Sequence, residues 1–309
     1  MRRLELGIHL PTAQPGASAE SILEVARAVE GMGFDALWMF DHLFTPTGIE
    51  SKYPYSRDGG YPISADDPFF DPLALFGVLA GAVERIKLGT AVLIPAHRHP
   101  IVLGKMLASI ENFAPGRIIL GVGAGWMREE FDAVGIPFDR RGARLVEYIK
   151  ALRTIWSGEP SSFNGEFYSW SEAGFLPAPT EPIPIILGGH GDRALQRCAK
   201  HADGWAVVTV KGQGSGIDGA AARIEIVKQH LANEGRDPAD FHFLYTHALW
   251  FSDHPNERLP LTGPPDVIAA SLKRLGDLGV DMVELAVFGP APVIVETAQR
   301  FAEDVKPLL

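Results

Sequence analysis

The sequence predicts a single (β/α)₈ barrel, and three observations support this prediction. Short apolar segments alternate with segments of helical spacing along the whole chain. Eight such strand–helix units follow one another without a linker, and the strands are near-continuous apolar runs, as a buried parallel barrel requires. A doubly wound sheet would also alternate, but eight regular units favour closure. We therefore expect residues 1–309 to form one domain.

Each predicted strand is followed by a predicted helix. The strands are expected at residues 4–10, 34–40, 86–94, 117–122, 183–187, 204–210, 241–251 and 281–288. The main helices are expected at 18–30, 71–83, 99–113, 139–157, 191–201, 217–234, 264–276 and 291–306, with an acidic helical stretch at 127–131. Gly31 and Gly33 end the first helix, as glycine commonly does after the last helical turn.

Three connections are long or rich in glycine. Residues 43–69, rich in Pro, Gly, Tyr and Asp, follow the second strand and would lie on the catalytic face of a barrel as a lid or binding loop. Residues 158–182 precede the fifth strand, so they are expected on the opposite face. Residues 212–219 follow the sixth strand and are expected to form a mobile glycine-rich loop on the catalytic face.

Composition excludes several classes of protein. The formal net charge of −10 disfavours a nucleic-acid partner or an anionic membrane surface. The single cysteine, Cys198, allows no internal disulfide and no cysteine-rich metal site, which fits a reducing cytoplasm. The chain begins without a signal-like segment, and no apolar run is long enough to span a bilayer.

Three alternating glycines, Gly121, Gly123 and Gly125, follow the fourth strand. Without a Cβ, such residues let the backbone approach a planar or anionic group closely. A dinucleotide-binding G-x-G-x-x-G turn would need a small residue where Trp126 stands, and it would follow the first strand of a βαβ unit. The turn is therefore interpreted as a cofactor turn of another kind.

Barrel active sites gather where the strands end, and these positions are rich in histidine, glycine and aromatic residues. Asp41 and His42, after the second strand, form the strongest titratable pair, because a histidine exchanges protons near neutral pH and an adjacent acid can fix its tautomer. A helix cap beside a surface histidine is the structural alternative. The further strand-end positions are His9, residues 91–97, residues 123–126 and residues 188–190.

Paired carboxylates or a buried lysine at the strand ends, as glycosidases or aldolases need, are missing from the sequence. His97-Arg98-His99 looks like a metal-binding H-x-H pair, but it follows the third strand and the further ligands of metal-dependent barrel hydrolases are missing. A helix start at Pro100, with His or Arg facing the site, is favoured over a metal. Cys198 is expected to be inert packing.

The turn Gly188-Gly189-His190-Gly191-Asp192-Arg193 opens a helix directly after the fifth strand. Free amides at a helix N-terminus, with Arg193 beside them, can bind a phosphate, and Arg197 and Lys200 could add charge. A tight turn that simply needs glycine is the alternative. Trp126, Trp205 and Phe40 could flank a planar ring, although Trp205 is expected in the core.

Taken together, several stretches resemble the luciferase-like monooxygenase superfamily, barrels that bind FMN or the deazaflavin coenzyme F-420, and most of all its actinobacterial F-420-dependent oxidoreductases. The resemblance covers nearly the whole chain. It is carried by residues 38–43, 88–100, 116–131, 135–156 and 188–205.

The resemblance implies a role for each candidate residue. The cofactor ring would lie at the C-terminal mouth of the barrel, against a bulge in the third strand that often contains a non-proline cis peptide, here Ala91–Val92. Asp41 and His42 match the family's pair beside the reactive edge of the ring. Gly123 and Gly125 would give the ring or its ribityl chain room. The phosphate would be held by Gly188, Gly189, His190 and Arg193.

One residue departs from the pattern. The F-420-dependent sugar-phosphate dehydrogenases of this superfamily carry a glutamate general acid directly after the last glycine of the strand-four turn, and this chain has Trp126 there. That activity is not supported. Glu129 and Glu130 lie close by in the sequence, which does not reveal their orientation.

The sequence thus predicts hydride transfer between F-420 and a small organic substrate, with His42 exchanging the proton and Asp41 orienting His42. An FMN-dependent monooxygenase served by a separate reductase is the rival of the same class. A flavin- or deazaflavin-binding protein without turnover is a rival of another class, and a metal-dependent hydrolase is disfavoured. The resemblance also implies a homodimer.

Overall fold

The computed structural model describes residues 2–56, 58–207, 216–256 and 258–309. Its strands are β1 (Glu5–His9), β2 (Ala36–Met39), β3 (Lys87–Thr90), β4 (Ile118–Val122), β5 (Ser161–Asn164), β6 (Ser169–Ala173), β7 (Ile185–Gly188), β8 (Gly204–Val207), β9 (His242–Ala248), β10 (Trp250–Phe251), β11 (Thr262–Gly263) and β12 (Met282–Ala286). Its helices are α1 (Ala19–Gly31), α2 (Pro72–Ala82), α3 (Pro100–Phe113), α4 (Arg128–Ala133), α5 (Arg141–Ile155), α6 (Asp192–His201), α7 (Gly216–Asn233), α8 (Pro265–Asp277) and α9 (Ala291–Asp304). Short 3₁₀ turns lie at Pro95–His97, Pro238–Asp240 and Lys306–Leu308.

Eight parallel strands close the barrel in the order β1, β2, β3, β4, β7, β8, β9 and β12, and β12 pairs again with β1. The predicted fold class is confirmed. The predicted strand at 86–94 is shorter than expected, because regular pairing ends at Thr90 and a 3₁₀ turn begins at Pro95. Residues 208–210 of the predicted sixth strand lie outside the described residues, as do residues 212–215 of the predicted loop at 212–219. Residues 216–219 begin α7 instead.

The side chain of Trp38 fills the middle of the barrel. It packs with inward-facing side chains from six other positions, namely Ala36, Ile119, Ile186, Ala206, Leu244 and Met282. Gly7 and Gly89 make room for the indole, since a Cβ at either position would lie 2.3 Å from it. The interior is therefore a packed core, and any ligand space lies above this layer.

Inward-facing positions recur every second residue along a strand. Two residues beyond the Trp38 layer, the inward positions are His9 on β1, Phe40 after β2, Thr246 on β9 and Glu284 on β12. On β3 and β7 the same level is occupied by Ala91, just beyond the strand, and Gly188. The mouth of the barrel thus has one polar and aromatic side and one side of small residues.

The connection at 158–182 differs from the prediction. It contains the antiparallel hairpin β5–β6, whose turn is fastened to the first half of α5: the amides of Glu166, Phe167 and Tyr168 donate to the carboxylate of Glu147 at 2.7–2.8 Å. Because α5 begins at the mouth, the turn reaches toward that end of the barrel instead of staying on the opposite face.

No helix in the described part of the chain is long and apolar enough to cross a membrane.

Candidate active site

A bulge after β3 shapes the small-residue side of the mouth. The peptide bond between Ala91 and Val92 is cis, as the resemblance implies. The amide of Leu93 then donates to the carbonyl of Gly121 at 2.8 Å, and the amide of Gly123 donates to the carbonyl of Leu93 at 2.9 Å. The bulge is thus bonded to the strand-four turn, and Ala91 and Val92 lie at the barrel mouth.

The glycines beside the bulge make room for protein side chains. A Cβ on Gly123 would lie 2.7 Å from Val92 Cγ2, and a Cβ on Gly188 would lie 3.4 Å from Val92 Cγ1. Gly125 has a φ of +82°, and a Cβ there would lie 2.6 Å from the ring of Phe131. The expected space at Gly123 and Gly125 is therefore filled by Val92 and Phe131, so a ligand would lie against Val92 instead of in a gap left by these two glycines.

Asp41 does not orient His42, contrary to the prediction. Its buried carboxylate accepts two hydrogen bonds from the guanidinium of Arg98, at 2.7 and 3.0 Å, and one from the amide of Ile94 at 2.9 Å. Successive residues at a strand end point in different directions, which separates Asp41 from the neighbouring imidazole. Asp41 therefore anchors the chain just beyond the bulge.

Glu130 is the carboxylate that holds His42. Its Oε2 lies 2.7 Å from His42 Nδ1, and its Oε1 accepts the amide of Leu43 at 2.6 Å. The Glu130 side chain is fully buried and that of His42 is 6% exposed. The pairing assigns the proton on Nδ1 to the bond with Glu130, so Nε2 is the nitrogen that can exchange a proton with a ligand.

Aromatic side chains of the loop at 43–69, together with Trp126 from the turn after β4, cover His42. The rings of Tyr61, Phe69 and Trp126 lie 5.2, 5.7 and 5.7 Å from the imidazole, and Tyr53 packs on Trp126 at 5.1 Å. The hydroxyl of Tyr61 is buried without a partner among the described residues. Burial raises the pKa of Tyr61 well above its ordinary value, so this hydroxyl stays protonated and can donate to a ligand.

Helix α4 fastens this loop. Glu129 accepts the amides of Glu50 and Ser51 at 2.7 and 3.0 Å, and the hydroxyl of Ser51 accepts the amide of Arg128 at the start of α4. Together with the Glu130–Leu43 bond, these contacts tie both ends of the segment 43–51 to one short helix. The prediction that residues 43–69 form a loop over the catalytic face agrees with this placement.

The turn at 188–191 forms an open helix start. Gly189 has a φ of +131°, and its carbonyl accepts the indole N–H of Trp205 at 2.9 Å, while Trp205 itself is buried as expected. Gly191 precedes α6, and no side chain in the described part of the chain caps that helix. Amides at such a start can bind an anion.

The cations named from the sequence near this turn have different surroundings. Arg193 is exposed, and Lys200 points away to Glu234 at 3.6 Å. Arg197 instead reaches the start of α5 at Gly142, and its Nε is buried without a partner among the described residues. Burial, with the positive charge of Arg223, lowers the pKa of His190 to about 4, so His190 is a neutral ring. Arg197 was named from the sequence, whereas Arg223 was not.

A second histidine–carboxylate pair lies on the polar side of the mouth. His9 Nδ1 is 2.6 Å from Glu284 Oε1, and the hydroxyl of Thr246 donates to Glu284 Oε2 at 2.7 Å. The imidazole of His9 also stacks on Phe40, with 5.1 Å between ring centroids. His9 was noted from the sequence as a strand-end residue, whereas its partners were not.

His97 and His99 have separate surroundings. His97 packs edge-on against Phe131, while His99 Nδ1 accepts the amide of Ile101 at the start of α3, which begins at Pro100 as expected. Arg98 lies between them in the sequence and is the residue directed toward the site, where it donates hydrogen bonds to Asp41. No group of three or more potential metal-binding side chains occurs among the described residues.

Comparisons with known proteins agree with this architecture. A family model described as luciferase-like monooxygenase matches residues 4–262. An uncharacterised protein of Mycobacterium tuberculosis is 32% identical over 246 residues, which cover 80% of this chain and 83% of that protein.

Two further similarities are informative. An F-420-dependent glucose-6-phosphate dehydrogenase of Nakamurella multipartita is 32% identical over 206 residues, covering 64% of this chain and 55% of the dehydrogenase. The crystal structure of a monooxygenase of Streptomyces bottropensis superposes with a TM-score of 0.77 at 20% identity, covering 98% of this chain and 99% of the other.

Proposed function

Because the chain belongs to the luciferase-like monooxygenase family and is a coenzyme-dependent oxidoreductase, we propose that it transfers a hydride between the deazaflavin coenzyme F-420 and a small organic substrate. Both would bind at the C-terminal mouth of the barrel, and the enzyme would work in the cytoplasm. The observation that carries the proposal is the His42–Glu130 pair, buried beneath aromatic side chains beside the bulge at Ala91–Val92.

The residues at the mouth fit such a coenzyme. A flat ring needs a wall of short side chains, which Ala91, Val92 and Gly188 supply. An anionic group needs amides and cations. The start of α6 supplies the amides, and the guanidinium nitrogens of Arg197 and Arg223 that have no partner among the described residues supply the cations. We retain Gly188, Gly189, His190 and Arg193 as the phosphate turn and Arg197 as an added charge, and we add Arg223.

The protein's own part in the chemistry is proton transfer and exclusion of water. When bound, F-420 supplies a two-electron acceptor or donor that exchanges hydride and activates oxygen poorly. His42 Nε2 gives or takes the accompanying proton while Glu130 holds the ring in one tautomer. Tyr53, Tyr61 and Trp126 shield this nitrogen from bulk water, which strengthens the electrostatic interactions inside the site.

The relative from Nakamurella multipartita supports F-420, whereas the family description, luciferase-like monooxygenase, favours the FMN-dependent alternative with a separate reductase. Equilibrium titration separates them. We expect micromolar quenching of F-420 fluorescence on addition of the protein and no comparable binding of FMN; the opposite result would overturn the cofactor assignment. Binding of F-420 without turnover of any substrate would favour a binding protein.

Trp126 narrows the substrate class. It stands where the sugar-phosphate dehydrogenases carry their general acid, and its ring packs on Tyr53, Tyr61 and His42. An apolar indole in this position suits an apolar substrate better than a charged sugar phosphate. We expect glucose 6-phosphate to give no reduction of F-420, as measured by the loss of F-420 absorbance.

We further propose that the chain forms a homodimer. Val102, Met106 and Phe113 share one face of α3 and are 53%, 39% and 83% exposed, which leaves an apolar stripe on the outside of the barrel. Light scattering should give twice the mass of the 33.5 kDa chain. A monomer mass at micromolar concentration would contradict the proposal.

A further inference from the structure

The polar side of the mouth lies directly across the barrel from the bulge. In the closed strand order, β1, β12 and β9 stand opposite β7, β4 and β3. His9, Glu284 and Thr246 therefore face the wall formed by Gly188, Gly123 and Ala91. A flat coenzyme against that wall would leave its exposed face toward His9.

The contacts of His9 prepare it for proton transfer. Glu284 is 2% exposed, and each of its carboxylate oxygens is taken, one by His9 Nδ1 and the other by the Thr246 hydroxyl. The carboxylate thus holds the proton on Nδ1, and stacking on Phe40 fixes the plane of the ring. Nε2 is left for a ligand, and the imidazole is 13% exposed, more than that of His42.

Phe40 separates the two histidines. His9 stacks on the Phe40 ring, and His42 makes a T-shaped contact with it, with 6.5 Å between centroids. Phe69 packs on Phe40 from the loop at 5.1 Å. The surface between the two histidine–glutamate pairs is therefore formed by aromatic carbon. A ligand that fits this surface would have an apolar body and one polar atom within reach of an imidazole.

The reaction transfers two protons, one at the substrate oxygen and one at the coenzyme ring. Oxidation of an alcohol removes a hydride from carbon and a proton from oxygen, and reduction of a deazaflavin adds a hydride and a proton to its ring. We propose that His9 is a second catalytic residue, which takes the hydroxyl proton of an apolar secondary alcohol, or returns it to the ketone. His42 serves the coenzyme side. Glu284 and Thr246 are positioning residues.

In the balanced step, the substrate O–H bond breaks as the proton goes to His9 Nε2. The substrate C–H bond breaks as the hydride goes to the oxidised deazaflavin, and a C=O bond forms. The proton that the coenzyme ring gains would come from His42 Nε2. The alcohol is oxidised and the coenzyme is reduced. This assignment rests on the proposed F-420-dependent function.

The test compares two histidines that each pair with a carboxylate. His9→Gln removes the proposed base, whereas His242→Gln removes a histidine that pairs with Asp281 at 2.6 Å at the other end of the barrel. F-420 affinity and thermal unfolding are measured for each variant. Single-turnover F-420 reduction is measured with cyclohexanol, 1-phenylethanol and 2-octanol as substrates. We expect His9→Gln to slow reduction at least about 100-fold with F-420 affinity within about twofold, and His242→Gln to leave the rate unchanged.

A readout independent of turnover addresses Glu284. In ¹⁵N-histidine-labelled protein, the ring of His9 should carry its proton on Nδ1, and Glu284→Gln should shift it toward the other tautomer. Equal rates for the two histidine variants, no oxidation of any of the three alcohols, or an unchanged tautomer in Glu284→Gln would overturn the inference while F-420 binding stands. Failure of the wild type to bind F-420 would instead overturn the proposed function itself.

Discussion

At the scale of single residues, the partner of His42 shows what sequence proximity can hide. Asp41 is adjacent in the chain, but its carboxylate bonds to Arg98 and to the amide of Ile94. Glu130 is 88 positions away and makes the bond. The sequence offered only a weak signal, the acidic pair Glu129-Glu130 just beyond the strand-four turn. Because that turn lies at the mouth, a carboxylate partner for His42 could come from it.

Neutralising Glu130 should therefore change the reaction rate, whereas neutralising Asp41 should change the stability of the fold. Glu130→Gln should lower the single-turnover rate of F-420 reduction about 10- to 100-fold, because the amide no longer fixes the tautomer of His42. Asp41→Asn should instead lower the free energy of unfolding by about 3 kcal/mol, because the buried Arg98 loses a charged partner. Stopped-flow absorbance and urea denaturation measure the two effects. A wild-type rate in Glu130→Gln would contradict the role given to it.

At the scale of secondary-structure elements, α4 fastens the loop at 43–69. Although partial burial would raise it, the pKa of Glu129 is held at about 2 by the amides of Ser51 and Glu50 and the hydroxyl of Ser51. A pKa lowered from 4.5 means that the contact stabilises the closed loop fully above pH 4.5 and is lost as the pH falls toward 2.

This linkage predicts a pH-dependent loosening of the loop. The Glu50 and Ser51 amides should lose protection from hydrogen exchange, relative to intrinsic rates, between about pH 4.5 and 2. Glu129→Gln should show low protection at every pH, since a neutral amide accepts more weakly. Equal protection of the variant and the wild type at pH 6 would contradict the fastening role.

The elements themselves were largely readable from the sequence, because strand and helix periods alternate without interruption. The bulge after β3 shortened one predicted strand, and only the resemblance to a family indicated it. The hairpin β5–β6 was missed because Ser161–Asn164 and Ser169–Ala173 lie on the surface and carry no buried apolar run. The site depends on contacts between distant segments, and periodicity does not report these.

At the scale of the whole molecule, the barrel depends on the fit of Trp38 to two glycines. Gly7→Ala and Gly89→Ala should each lower the free energy of unfolding by about 1–3 kcal/mol, because the added methyl would overlap the indole in a packed core. Gly31 is the last residue of α1, and no described atom lies within 4 Å of its Cβ position. Gly31→Ala is therefore the matched control and should be neutral or slightly stabilising. Urea denaturation of the three variants would measure this, and equal stabilities would show that the interior is not tightly packed.

The same fold joins the bulge, the aromatic loop and the two histidine–glutamate pairs at one end of the barrel, and proton transfer by His42 is central to the proposed function. The most direct test is the single-turnover rate of F-420 reduction by His42→Ala, with F-420 affinity measured on the same protein. We expect the rate to fall at least about 100-fold while the affinity changes by no more than about twofold. A wild-type rate in this variant would contradict the assignment.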